Sequence, residues 1–405
     1  MKQFQLATSL ACGPDALTAL DRLGGRRVLV ITDAFMASSA LMDTVRGHLG
    51  SAEITVFDQV QPNPDVQAVA RGLRAFLDCA PEALLALGGG SPIDTAKAVR
   101  KIALEQGQPL SAGFYVVPTT SGTGSEVSSF AVVTDPEHDA KLPMTSPDMV
   151  ADVAILDPDA VRTCPPTLTA DSGMDALSHA VEAYVALDHN DITDALAEKA
   201  LRLISANLVA SFRDGNDLAA REHQQNAATM AGIAFENSGL GIVHGLSHAI
   251  GGSFHVAHGR LNGILMPHVI GFNAGELGFG AATLSPIAER YAQLAAAIGI
   301  DAATRRGLVT GLVDFITAIR RDLDMPASLT DAGVDRAAFR AAIPQLSQTA
   351  LRDFCTSGNP RPVTLMSSPG CWPTPSSPRR PVRSTPEGAG RVPGLGVLTG
   401  DVGQS

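Results

Sequence analysis

Asp175 and His179 stand four residues apart in the apolar stretch SGMDALSHAVEAY, and His244, His248, His255 and His258 follow roughly sixty residues later. Four-residue spacing in a helix projects both side chains from one face. Imidazoles with one carboxylate are a ligand set for iron, zinc or cobalt, not for magnesium or calcium. Eight of the ten histidines fall between positions 179 and 268, so they are not evenly scattered. A single His on a helix is ordinarily a satisfied core or surface residue; a DxxxH and an HxxxH in neighbouring apolar helices are harder to explain that way. Spacing alone pairs His244 with His248 as ligands and does not decide among His244, His248, His255 and His258. On this cluster alone a metal hydrolase remains open.

Two further segments could hold phosphates. Gly88-Gly89-Gly90-Ser91-Pro92-Ile93-Asp94 follows the apolar run Leu84–Leu87. Glycines let backbone approach a pyrophosphate, and a helix starting there offers unpaired N–H groups and a positive dipole end. The spacing is not GxGxxG, and a plain tight turn is the structural alternative. Thr119-Thr120-Ser121-Gly122-Thr123-Gly124-Ser125 follows the run Phe114–Val117, a run of hydroxyls and glycines where open α/β sheets bind ligands. Asp33 ends the run Arg27–Thr32. A carboxylate there can accept the ribose hydroxyls of NAD and repel the 2′-phosphate of NADP, although a helix N-cap is an equally good role for it.

The elements that must carry these groups can be read in outline. Arg27–Thr32, Glu53–Asp58, Leu84–Leu87 and Phe114–Val117 predict strands, and Asp65–Cys79 predicts a helix with Val66, Val69, Leu73 and Phe76 on one side. Strands alternating with helices imply a parallel sheet covered on both faces. Beyond about residue 160 the pattern turns helical, over Leu168–Ala186, Ile192–Leu208, Leu218–Phe235 and Ile287–Ile298, with Ser285-Pro286 as N-cap and first-turn proline of the last. The expected organisation is an α/β dinucleotide-binding domain over 1–158, an all-α metal-binding domain over 159–364, and an atypical tail over 365–405. That tail is rich in Pro, Ser, Gly and Arg and carries the only Trp, Trp372, a disordered composition.

The chain has 405 residues, 45% apolar and 18% charged, with a net charge of −11. A negative chain is a poor default partner for nucleic acid. Five scattered cysteines without a CxxC pair read as reduced thiols of the cytoplasm. No apolar run approaches the ~20 residues of a membrane span, and the N-terminus lacks the shape of a signal peptide.

The segments GGGSPIDTAKAV, PTTSGTGSEVSSFAVVTD, LPMTSPDMVADVAILDP, SGMDALSHAVEAY and GLGIVHGLSHAIGGSFHVAHGRLNGILMPH resemble, in order, those of the iron-containing (group III) alcohol dehydrogenases. The likeness spans about residues 1–364. Within the family it runs toward the propanol dehydrogenases of propanediol utilisation, through the FxLxTxL opening and FMASSALMDTVR. The resemblance implies the dehydroquinate synthase-like, iron alcohol dehydrogenase fold, with the site in the cleft between an α/β and a helical domain. It implies Asp175, His179, His244 and His258 as metal ligands and His248 as a proton relay. Asp33 would meet the adenine ribose of NAD. Asn63, Gly89, Gly90, Ser91, Pro92, Asp94, Thr119, Thr120, Thr123 and Lys141 would line the cofactor. The ion would be Fe2+, with Zn2+ as the alternative, acting as a Lewis acid on an alcohol oxygen during hydride transfer. The partners implied are a small alcohol or aldehyde and further copies of the chain in a homodimer or larger oligomer, with a microcompartment as a possible address.

Two departures stand out. Ala257 replaces the proline that usually precedes the last ligand, and Arg260 replaces a small apolar residue. The likeness also stops at Met366, for which a shifted reading frame is the preferred explanation. A zinc polyol dehydrogenase, a metal hydrolase and an inactive paralogue are the rival readings.

Overall fold

Every residue of Ala83–Gly88 is buried, as expected of a strand covered on both faces. This strand, β4, lies inside a six-stranded sheet with β1 (Ser9–Cys12), β2 (Arg27–Ile31), β3 (Glu53–Phe57), β5 (Gly113–Pro118) and β8 (Val153–Leu156). The order is β1-β8-β5-β4-β2-β3, and every pairing is parallel. Alternation along the strands divides the core. Val28, Val30, Leu85, Leu87, Tyr115 and Val117 pack on one face, and Leu29, Ile31, Leu84, Ala86, Phe114 and Val116 on the other. The computed structural model describes residues 3–136, 140–275 and 284–364. The expected tail over 365–405 lies outside the described residues.

The four expected strands and the parallel sheet are present. Sequence reading missed β1 and β8, each of four residues, and the antiparallel hairpin of β6 (Phe130–Asp135) and β7 (Ala140–Thr145). The helix expected from Asp65 begins at Val66, because the Asp65 side chain caps it by accepting from the Ala68 N–H at 2.6 Å. Val66 is consequently exposed, and Ala68 and Gly72 complete the buried stripe instead.

Beyond β8 the described chain is helical. Helices Pro166–Val185, Asp191–Arg213, Leu218–Ser238, Ile242–Phe254 and His258–Ala274 build a core dominated by Ala, Leu and Ile. The Asp191 helix has a full capping box from Asn190 and Thr193. Ser285 does not cap the Ile287–Ala297 helix as expected; its hydroxyl donates to the Asn273 carbonyl at 2.7 Å.

The Leu218 helix also packs on the loop after β5. A Cβ at Gly232 would lie 2.8 Å from the Gly124 Cα and 2.9 Å from Val127 Cγ2. Alanine in mid-helix would gain about 1 kcal/mol in propensity, but overpacking against backbone costs about 1–3 kcal/mol or more. Gly232→Ala is therefore expected to lower the melting temperature in calorimetry; an unchanged or higher value would show that the loop yields freely.

Candidate metal and cofactor site

The Pro166 helix carries Asp175 and His179, the Ile242 helix carries His244 and His248, and His258 opens the last of the three. From Asp175 Oδ1, Nε2 of His258 lies at 3.5 Å, of His244 at 3.7 Å and of His179 at 3.8 Å. These separations exceed ordinary hydrogen bonds. Ligand atoms about 2.0–2.2 Å from a tetrahedral ion lie about 3.4 Å apart; the ligand atoms of Asp175, His244 and His258 all lie within 4.8 Å of one another, while His179 approaches Asp175 from outside that group.

The outward nitrogens explain why the Nε2 atoms face inward. His179 Nδ1 meets the Gly122 carbonyl at 3.2 Å, and His244 Nδ1 meets Glu182 Oε2 at 2.6 Å. An acceptor at Nδ1 fixes the proton there and leaves the Nε2 lone pair for a ligand bond. Asn262 Nδ2 donates to Asp175 Oδ1 at 2.8 Å and to Ser178 Oγ at 3.0 Å, while its own oxygen accepts from Ser247. These groups lie in nearly dry surroundings, with Asp175, His179, Glu182, His244 and Asn262 all buried.

The electrostatics of the cluster are strongly shifted by burial and by its own charges. Burial alone would raise the Asp175 carboxyl, but His179 and His258 outweigh it and hold it well below the usual carboxylate range. Burial pushes His179 down to about 4, only partly offset by Asp175. Burial works against the charge on His244 too, yet the neighbouring carboxylates of Asp175 and Glu182 prevail and raise it to about 9.

The structure separates His244 from His248, which spacing alone would have paired. Nδ1 of His248 sits 2.8 Å from Asp353 Oδ2, and its ring stacks on His258 at 5.0 Å. His255 ends its helix in the left-handed region at φ 55 and is not part of the cluster. Asp353 and Cys355 approach His248 closely enough to form a second group of ligand-type atoms. Burial raises the Cys355 thiol well above its usual value, so it is a poor anionic ligand.

A cavity of about 690 Å³ joins the cluster to the glycine loops. Of the expected cofactor residues, Asn63, Gly90, Ser91, Asp94 and Thr123 line it, beside Asp175, His179, His244, His248 and His258. Gly89, Pro92, Thr119 and Thr120 are not among the residues that line it. Gly88, at φ 151, would place a Cβ 2.5 Å from Pro92, and Cβ atoms at Gly89 and Gly90 would press on Thr120 and Thr123 at 3.2 and 3.1 Å. The Thr119 N–H donates to the Gly88 carbonyl at 3.0 Å. Asp94 ties the wall together, accepting from Ser125 Oγ at 2.8 Å and the Val132 N–H at 3.0 Å. Asp33, outside the cavity lining, caps the Ala34–Ala37 helix by accepting from the Met36 N–H at 2.9 Å. Lys141 pairs with Thr134 through the backbone of the hairpin; its side chain lies outside the described residues.

Residues 7–158 match the family described as iron-containing alcohol dehydrogenase, and residues 169–367 match the Fe-containing alcohol dehydrogenase family, C-terminal. The chain belongs to the iron-containing alcohol dehydrogenase family. It is 38% identical over 366 residues to the 1-propanol dehydrogenase PduQ of Salmonella typhimurium, covering 90% of this chain and 96% of that one. It is 35% identical to the NADPH-dependent butanol dehydrogenase of Clostridium saccharobutylicum, covering 89% and 94%. A crystal structure of a 1,3-propanediol oxidoreductase superposes with a TM-score of 0.83 at 31% identity, covering 92% and 98%. As a member of this family the chain is an oxidoreductase that interconverts alcohol and aldehyde with a nicotinamide cofactor, and the hydrolase reading falls away.

Sequence reading overlooked Glu182, Asn262, Asp353 and the Gly122 carbonyl. Glu182 is three residues after His179 and Asn262 four after His258, so helical spacing could have found both. Asp353 lies 105 residues from His248 and has no local signal.

Glu182 also accepts the Val243 N–H at 2.8 Å. Glu182→Ala would leave two buried donors unpaired, at about 1–3 kcal/mol each. A clear fall in the denaturation midpoint of metal-free protein is expected, and a value within error of wild type would refute this account.

Proposed function

We propose that the chain is an NAD-dependent dehydrogenase of short primary alcohols, of the 1-propanol/propionaldehyde type, with Asp175, His179, His244 and His258 holding one divalent ion. The observation that carries this reading is the approach of three imidazole Nε2 atoms to one carboxylate oxygen at 3.5–3.8 Å, on the wall of a cavity shared with the glycine loops. Iron is the ion in the family's name, and zinc suits the same donors.

When bound, the ion supplies Lewis acidity toward the substrate oxygen. The chain's own groups do the rest. The N-terminus of the Gly90–Glu105 helix, with Gly90 and Ser91 on the cavity wall, supplies N–H donors and a positive dipole end for the pyrophosphate. A dinucleotide anchored there would share its cavity with the histidine cluster. Oxidation removes a proton from the alcohol oxygen and a hydride from its carbon, and a bound nicotinamide cofactor would supply the hydride acceptor. His248 takes the proton at Nε2 and passes it outward, because Asp353 fixes its other nitrogen. Phe235 and Phe354 line the same cavity and exclude water from the hydride path.

Asp33 at the end of β2 favours NAD over NADP. Its cap uses Oδ1, which is compatible with Oδ2 accepting a ribose hydroxyl. Among the described residues no helix is long and apolar enough to cross a membrane. A homo-oligomer in the cytoplasm or a microcompartment completes the reading, and light scattering on purified protein addresses the first part.

NADH oxidation with a panel of short aldehydes, with and without added ferrous iron, tests the function; no turnover with any aldehyde under iron would overturn it. His248→Ala is expected to keep stoichiometric metal and lose about 10²–10⁴ in rate; loss of the metal would instead reassign His248 as a ligand. His244 carries a proton in the metal-free protein up to about pH 9. Cation binding must expel it, so binding at neutral pH should release a proton and weaken as pH falls. Calorimetry in buffers of different ionisation enthalpy reads that release, and its absence would show that His244 is already neutral before the cation binds.

A further inference from the structure

Three of the four proposed ligands are held by burial. The side chains of His244, His179 and Asp175 are 2%, 6% and 7% exposed, but His258 is 33% exposed. His258 is also the first residue of its helix, with no preceding helical turn to orient it. Its ring stacks on His248, and Asn262 Nδ2 lies 3.2 Å from its Nε2; the backbone that carries it needs an anchor of its own.

Two residues further on, Arg260 grips Asp171 in a two-point contact, Nε to Oδ1 at 3.2 Å and Nη2 to Oδ2 at 2.9 Å. Asp171 precedes Asp175 by one helical turn, so both carboxylates face the His258 helix. The Arg260–Asp171 pair and the His258–Asp175 pair are adjacent rungs between the same two helices. Between them Gly259 lies so close that a Cβ would come within 1.8 Å of the Asp171 carbonyl oxygen. The pair is largely sheltered, at 29% and 13% side-chain exposure, and a two-point guanidinium contact fixes orientation as well as distance.

We infer that the Arg260–Asp171 pair is the positioning device for His258, and that it sets how tightly the cation is held by clamping the first turn of the His258 helix onto the Pro166 helix. The inference rests on the assignment of His258 as a ligand. The segment before His258 offers an independent handle. Ala257 has φ −56 and ψ 135, dihedrals that a proline would impose, and its N–H has no hydrogen-bond acceptor among the described residues. Proline at 257 would stiffen the same approach without touching the ion pair.

Titration of metal-free protein with Co2+, followed by its visible absorption, tests the clamp. Arg260→Ala and Asp171→Asn are expected to weaken binding about tenfold or more. Arg260→Lys, which keeps the charge but not the fork, should fall between them and wild type and serves if the alanine variant folds poorly. Adding Ala257→Pro to Arg260→Ala should recover roughly two- to fivefold. Equal affinity in Arg260→Ala and wild type, or in Arg260→Lys and wild type if only that variant folds, overturns the inference, as does no recovery with proline. A wild type that takes up no Co2+ overturns the site assignment itself.

Discussion

In the proposed site three neutral imidazoles would have to present lone pairs to the same small volume, and that requirement would organise the helical half of the molecule. An imidazole turns its Nε2 lone pair inward only if its Nδ1 proton has somewhere else to go. The Gly122 carbonyl takes that role for His179 and Glu182 for His244. Both acceptors come from outside the ligand set. Because Gly122 belongs to the loop after β5 while His179 belongs to a helix, the sheet half sets the ring orientation of a residue in the helical half. A Cβ at Gly122 would lie 2.6 Å from the Ser172 carbonyl oxygen, so glycine is what lets the loop come near enough.

The same loop faces the opposite way as well. Gly89 and Gly90 pack on Thr120 and Thr123, and Asp94 reaches across to Ser125 and on to β6. On its far side Glu126 accepts from Thr229 at 2.6 Å, and Gln225 donates to the Pro118 carbonyl at 3.3 Å, both from the Leu218 helix. Beneath it Lys97 is fully enclosed and held by Ser128 and the Phe130 carbonyl. Burial brings its amine down to about 8. Cofactor wall and histidine cluster thus share one strip of backbone.

Much of this was legible beforehand because it is local. Strands buried on both faces, such as β4, show as unbroken apolar runs, and the long helices have a clear period. The DxxxH pair needed only helical spacing. What remained hidden is set by distance along the chain or by short length. Strands of four residues, such as β1 and β8, give too little alternation to read. The assignment of His248 turns on Asp353, which no spacing rule connects to it. For Asp33 the sequence allowed two roles, and the geometry displays the cap.

The His248–Asp353 contact spans 105 residues of chain. Ribosomes add about 5–20 residues per second, so several seconds separate the synthesis of His248 from that of Asp353. His248 therefore gains its Nδ1 partner only after the Arg336–Arg352 helix has been made.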